Sequence, residues 1–152
     1  FIDLASEINA DMPEYVVRKV ARSLNKERKS VNGARVLVLG VAYKKDIDDM
    51  RESPALDVMR LLEERGAHVD YHDPFVPDFT EDGHRRQSVE LSEHALAASD
   101  VVVIVTDHSN VDYQRIVDHA PLVVDARNAT ARSRPSKARI VALSSFDGVA
   151  KG

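Results

Sequence analysis

Apolar and polar positions follow two rhythms along this chain. At the start, Phe1, Leu4 and Ile8 share one helical face, and Val16, Val17, Val20, Ala21 and Leu24 continue the stripe. Residues 1–28 therefore read as helix. Within it, Asp11 has the pattern of an N-cap, with Glu14 three residues on and Pro13 in the first turn. Residues 25–33 are polar and read as a linker.

Beyond the linker, short apolar runs alternate with helical spacing. Residues 35–40 form a run rich in Val and Leu, and residues 68–72 a second strand. Residues 101–105 are an unbroken apolar run, as expected of a strand covered on both faces. Residues 122–125 and 139–143 make two more strands. Between them, Ala55, Val58, Met59 and Leu62 lie at helical spacing in a helix over 55–65 that stops at Gly66. Residues 88–98 and 113–119 read as further helices. No internal repeat or low-complexity segment interrupts the series.

A βαβ succession of this kind predicts an α/β fold: a three-layer, mostly parallel, Rossmann-like sheet with helices on both faces, preceded by a long N-terminal helix. Every loop after a strand then opens on the same sheet edge, where ligands bind in such folds. Helix 1–28 has no evident place in that plan. It is expected to pack on a neighbouring domain or subunit and to make a homo-oligomer.

Composition narrows the partners. At 152 residues, with 43% hydrophobic and 30% charged residues, the chain can bury a core of its own. A formal net charge of −4 argues against nucleic acid as the main partner. No apolar run approaches the roughly 20 residues of a membrane span, and no basic-then-apolar leader opens the chain. A cytoplasmic location fits. The chain begins with Phe1 rather than Met, so it reads as a fragment. It contains no cysteine, which leaves it without a disulfide or a thiol nucleophile.

The candidate chemistry is concentrated after the first strand. Tyr43, Lys44 and Lys45 lie in a charged loop, and Ser53 and Pro54 then have the pattern of N-cap and first residue of a helix. A helix start offers free N–H groups and partial positive charge. Arg127 follows the fourth of the main strands, in Asp125-Ala-Arg127-Asn128, on the same edge. Guanidinium and ammonium groups converging there suit phosphate oxygens, and Tyr43 can offer a flat face to a base. The plainer alternative makes these cations solvated surface charges paired with Asp46, Asp48, Asp49 and Glu52. Their common edge favours an anion site.

Other chemistries fit less well. A dinucleotide fingerprint needs G-x-G-x-x-G at the first strand–helix turn, and only Gly40 is present there. Asp73 ends the second strand, where a ribose-binding acid would sit, but without the glycines Asp73-Pro74 is better read as shaping a turn. Asp48, Asp49, Arg51 and Glu52 read as a salt-bridged loop clamped on the helix start, with Arg51 as its brace, rather than as an acid–base set. The six histidines show no ligand spacing, so no metal site is expected. There is no G-x-S-x-G elbow.

The stretch Leu39-Gly40-Val-Ala-Tyr43-Lys44-Lys45-Asp-Ile-Asp48-Asp49-Met-Arg51-Glu52-Ser53-Pro54 resembles the signature of the C-terminal, UDP-binding domain of the UDP-glucose/GDP-mannose dehydrogenase family. Tyr71-His72-Asp73-Pro74 and Val124-Asp125-Ala-Arg127-Asn128 resemble later motifs of that domain. Glu7-Ile-Asn9-Ala-Asp-Met12-Pro13 with Val16-Val17 is similar to the family's central connecting helix. Within the family the loop looks closest to bacterial UDP-N-acetylhexosamine 6-dehydrogenases.

The resemblance implies that residues 1–30 are the C-terminal part of a connecting and dimerisation helix and 31–152 a UDP-binding domain. It implies that Lys44 and Arg127 contact the diphosphate or ribose of a UDP-sugar, Arg127 from this chain or across from a partner subunit, and that Tyr43 lies against the nucleotide. Arg51 and Ser53 would support the loop and helix start. The full enzymes oxidise the sugar C6 alcohol to a carboxylate in two NAD-dependent steps through a thiohemiacetal on cysteine. The NAD-binding domain and that cysteine precede the matched region, so no cofactor is expected in this chain alone, and alone it should be inactive. The competing expectations are a non-catalytic nucleotide-binding domain and an assembly module.

Overall fold

The computed structural model describes residues 2–42 and 53–143. The elements run α1 (Ile2–Lys26), β1 (Arg35–Leu39), α2 (Pro54–Glu64), β2 (His68–His72), β3 (Asp78–Glu81), β4 (His84–Gln87), α3 (Glu93–Ala98), β5 (Val101–Ile104), α4 (Tyr113–His119), β6 (Leu122–Asp125) and β7 (Arg139–Ala142). Five strands form one sheet in the order β2-β1-β5-β6-β7, all parallel. The fold class is the expected one.

Strand periodicity explains the layers, because successive side chains point to opposite faces. Val36, Val38, Val101, Val103, Leu122 and Val124 pack on one face with α1 and α2. Leu37, Leu39, Val102, Ile104 and Val123 pack on the other with Leu96 of α3 and Ile116 of α4. Each central strand is thus apolar on both sides, which is why these runs read as continuous.

Two expectations about the long helix are corrected. Val16, Val17, Val20 and Leu24 are buried in this domain's own core, so the apolar stripe of the second half of α1 is used within the domain. The reason is geometric: α2 lies over β2, leaving the same face open above β5 and β6, and α1 covers it while packing along α2. The hydroxyl of Tyr15 donates to the carbonyl of Leu143, 2.9 Å away, tying the helix to the end of the sheet. Asp11 is not a cap, because α1 runs without a break through Pro13. A proline inside a helix costs about 3 kcal/mol. Burial of the apolar side chains that follow, at roughly 1.5–3 kcal/mol each, offsets it.

The helix expected over 88–98 is shorter. It starts at Glu93 behind Ser92, whose side chain accepts from the N–H of Ala95 at 3.0 Å. Ser88 instead makes a parallel bridge with Tyr71, and the N–H of Val89 donates to the carbonyl of Tyr71 at 2.8 Å. The β3–β4 hairpin was not expected. It turns through Asp82 and Gly83, both at positive φ, as an Asp-Gly two-residue turn does. Its only buried side chain is Phe79, packed on Tyr71 with ring centroids 5.2 Å apart.

From β1 the chain passes outward to β2, then returns across to β5 on the other side of β1. The direction of winding therefore reverses between β1 and β5, and the crevice at their carboxyl ends is where such folds place ligands.

Candidate functional site

The crevice is built by backbone closeness and two buried carboxylates. Gly40 leaves β1 at φ +88, a backbone region that strains other residues. A Cβ there would lie 2.5 Å from Cβ of Thr106 and 2.9 Å from its backbone N, so only glycine lets β1 and β5 end this close. The N–H of Val105 donates to the carbonyl of Leu39 at 3.0 Å, and the Thr106 hydroxyl donates to the carbonyl of Ala42 at 2.8 Å.

Asp73, at the end of β2, is 1% exposed and holds three loops together. Its Oδ2 accepts from the N–H groups of Val41 at 2.8 Å and Ala42 at 3.0 Å, immediately before the charged loop. The same oxygen lies 3.0 Å from Nε2 of His108, in the loop after β5. Its Oδ1 accepts from the N–H of Phe75 at 2.8 Å, which closes the turn expected of Asp73-Pro74. The Phe75 ring packs tilted against that of His108, with centroids 4.7 Å apart, and the Tyr113 hydroxyl donates to the His108 carbonyl at 2.9 Å.

Asp125 does the same at the end of β6. Its Oδ1 accepts from the N–H groups of Arg127 and Ala129, each at 3.0 Å. Its Oδ2 accepts from the N–H of Thr130 at 2.8 Å and from the Thr130 hydroxyl at 2.7 Å. Asn128 sits between them at φ +61, a conformation asparagine tolerates better than most residues. Asp125 thereby fixes the backbone that presents Arg127.

Arg127 is at the expected edge with its side chain half-exposed. Its Nε is 3.5 Å from Oδ1 of Asp107, in the loop after β5. With Asp125, Ala126, Asn128, Ala142 and Leu143 it lines a depression of about 350 Å³. Ser53 caps α2 as expected: it is buried, and its hydroxyl oxygen accepts from the N–H of Ala55 at 3.2 Å. Pro54 is the first helical residue. Tyr43, Lys44, Lys45, Asp46, Asp48, Asp49, Arg51 and Glu52 lie outside the described residues. The site residues that sequence reasoning missed are Thr106, Asp107 and His108, and the hub role of Asp73. The one available signal was the recurrence of an acid at the ends of two strands.

A parallel sheet with its ligand edge at a winding reversal, and with Arg127 on a loop set there by the buried Asp125, has the form of a nucleotide-binding α/β domain. Over residues 37–132 the chain matches the UDP-glucose/GDP-mannose dehydrogenase family, UDP binding domain, and it belongs to that family.

It is 33% identical over 108 residues to the UDP-N-acetyl-D-mannosamine dehydrogenase of Methanococcus maripaludis (strain C7), an alignment covering 71% of this chain and 23% of that protein. It is 30% identical over 136 residues to a UDP-glucose 6-dehydrogenase of Bacillus subtilis, covering 84% of this chain and 28% of that one. Among solved structures it superposes on the UDP-D-ManNAc dehydrogenase of Pyrococcus horikoshii with a TM-score of 0.74 at 27% identity, covering 92% of this chain and 32% of that chain. The UDP-N-acetyl-mannosamine dehydrogenase of Staphylococcus aureus gives 0.69 at 29% identity, covering 90% and 31%. The chain thus spans less than a third of the length of the relatives it matches.

The family resemblance also implies NAD, and the residues at the first crossover do not fit it. A dinucleotide ribose needs a free acid at the end of the second strand. Here Asp73 is buried, and its oxygens are occupied by Val41, Ala42, Phe75 and His108. Among the described residues no group of three His, Asp or Glu could hold a metal ion, and no helix is long and apolar enough to cross a membrane.

Proposed function

We propose that this chain is the nucleotide-binding part of an NAD-dependent UDP-sugar 6-dehydrogenase, an enzyme that oxidises the C6 alcohol of its sugar to a carboxylate. Lys44 and Arg127 hold the diphosphate or ribose, Tyr43 lies against the base, and Arg51 and Ser53 support the loop and the helix start. The observation that carries the reading is the edge itself. Asp73 fixes the loop start that leads towards Lys44, at the winding reversal, and Asp125 fixes the one that bears Arg127, at the end of β6 next to β5, on the edge where such folds bind ligands. The occupied Asp73 supports assigning NAD to a different domain. The absence of cysteine supports an inactive isolated chain, since a covalent thiohemiacetal needs a thiolate.

The mannosamine names carried by several relatives support a UDP-N-acetylhexosamine as substrate. The reading includes a cytoplasmic location and a homo-oligomer. With Val16 to Leu24 engaged in the core, the oligomer contact falls to residues 1–11, where the sequence pattern puts Phe1, Leu4 and Ile8 on one face.

Calorimetry with UDP, GDP and NAD tests the reading. UDP binding, at least tenfold weaker in Lys44→Ala and in Arg127→Ala, is expected on the basis that charge-assisted contacts contribute about 1.5–3 kcal/mol. Preference for NAD, or UDP binding indifferent to both substitutions, contradicts it.

A further inference from the structure

Asp107 has no place in the reading so far. Its Oδ1 is buried and takes no hydrogen bond. The group that faces it is Nε of Arg127 at 3.5 Å. The Asp107 side chain is 25% exposed and that of Arg127 50%, so the guanidinium is the more exposed partner and the facing carboxylate oxygen is shielded from solvent. The backbone of Arg127 is fixed separately, through its N–H to Asp125. Among the described residues, the two terminal nitrogens of Arg127 take no hydrogen bond.

A guanidinium can meet a phosphate side-on, through Nε and one terminal nitrogen, or end-on, through both terminal nitrogens. With Nε turned towards the buried oxygen of that carboxylate, the end-on fork is what remains open to solvent. We propose that Asp107 is the positioning residue of Arg127. It draws Nε inward, so that both terminal N–H₂ groups face outward for the diphosphate of a nucleoside diphosphate. The inference rests on the UDP reading above and adds to it the residue that orients the cation and the face of the cation that binds. The rival role, a carboxylate that competes with the ligand for Arg127, requires Oδ1 to be open at the ligand surface, and it is buried.

The test combines side-chain nitrogen NMR with calorimetry on this chain. In the free protein the Nε–H of Arg127 should be ordered, and it should become mobile in Asp107→Ala. Asp107→Asn, which keeps an acceptor oxygen, should retain part of the order. UDP and inorganic pyrophosphate should bind about tenfold more weakly to Asp107→Ala, the loss of one charge-assisted contact, with Asp107→Asn between. In an Arg127→Ala background, removing Asp107 should cost no further affinity. Tighter UDP binding in Asp107→Ala, an equal loss with and without Arg127, or an Nε–H that does not respond to Asp107 overturns the proposal. If the unsubstituted chain takes up no UDP, the functional reading falls, and the Nε–H comparison still decides whether Asp107 positions Arg127.

Discussion

Nε2 of His108 lies 3.0 Å from Oδ2 of Asp73, and both side chains are almost wholly removed from solvent. The pair joins the loop after β5 to the end of β2, and the same carboxylate oxygen takes the two N–H groups that follow Gly40. Three strand ends are thereby locked at one point, directly beneath the crevice between β1 and β5.

Removing that point should be costly. Asp73→Ala leaves the amides of Val41, Ala42 and Phe75 and the ring of His108 without their acceptor. Breaking a buried pair or network on one side costs about 3–5 kcal/mol, and a urea titration should show a loss in that range. A loss under about 1 kcal/mol, within the range of an ordinary surface substitution, would contradict the hub.

Gly40→Ala should cost more than Gly83→Ala. Both glycines have positive φ, but a Cβ at Gly40 meets Thr106 at 2.5 Å, whereas at Gly83 nothing lies within 4 Å. The conformational strain, about 1 kcal/mol, is common to both. Overlap with the β5 exit adds to it only at Gly40, by about 1–3 kcal/mol. Equal melting temperatures for the two variants would show that the close approach is not strained.

Asp100 should contribute stability that acid removes. Partial burial pushes its carboxyl upward, but the N–H of Arg35 at 2.8 Å and the Lys29 ammonium at 3.0 Å outweigh that and hold it below its ordinary value. A depressed carboxyl stabilises the fold above its unfolded value, near pH 4, and loses that contribution as pH falls through the folded one. Asp100→Asn should therefore be about 1 kcal/mol less stable at pH 7, with the difference shrinking below pH 4. A difference that is the same at pH 7 and pH 3 would contradict this.

Tyr71 should resist ionisation. Burial first, then the charges of Asp73 and Asp78, raise its phenol from 10.0 to about 12. Its hydroxyl donates to the carbonyl of Val76 at 2.8 Å. A phenol whose folded value is raised contributes stability that is complete below pH 10 and is lost as pH climbs towards 12. The phenolate absorbance should show a late phase near pH 12 that Tyr71→Phe abolishes. Ionisation of every tyrosine together near pH 10 in the folded protein would contradict it.

The sequence carried the architecture where burial was two-sided. Val101–Ile104 could only be a covered strand, and Val58, Met59 and Leu62 could only be a helix stripe. It failed where local pattern was weak or a partner was remote. The β3–β4 hairpin buries Phe79 and little else, so polar residues hid its period, and Asp82-Gly83 was its single mark. The stripe of α1 was legible, but not the face it covers, because that depends on how much of the sheet α2 leaves open. The edge bearing Arg127 and the cap at Ser53 were legible from spacing. The Asp73 hub was not, because two of the amides it binds come from one loop more than 30 residues away along the chain. Side chains that serve backbone amides leave no periodic trace.

Under the proposed function, a UDP group binds at the carboxyl edge between β1, β5 and β6. Amide NMR during a UDP titration tests it most directly. The largest shifts should fall at Gly40–Ala42, at Thr106–His108 and at Arg127–Thr130, with the opposite sheet edge, around Arg35, His68 and Ser99, unmoved. Shifts concentrated at that opposite edge, or no saturable shifts with UDP, would contradict it.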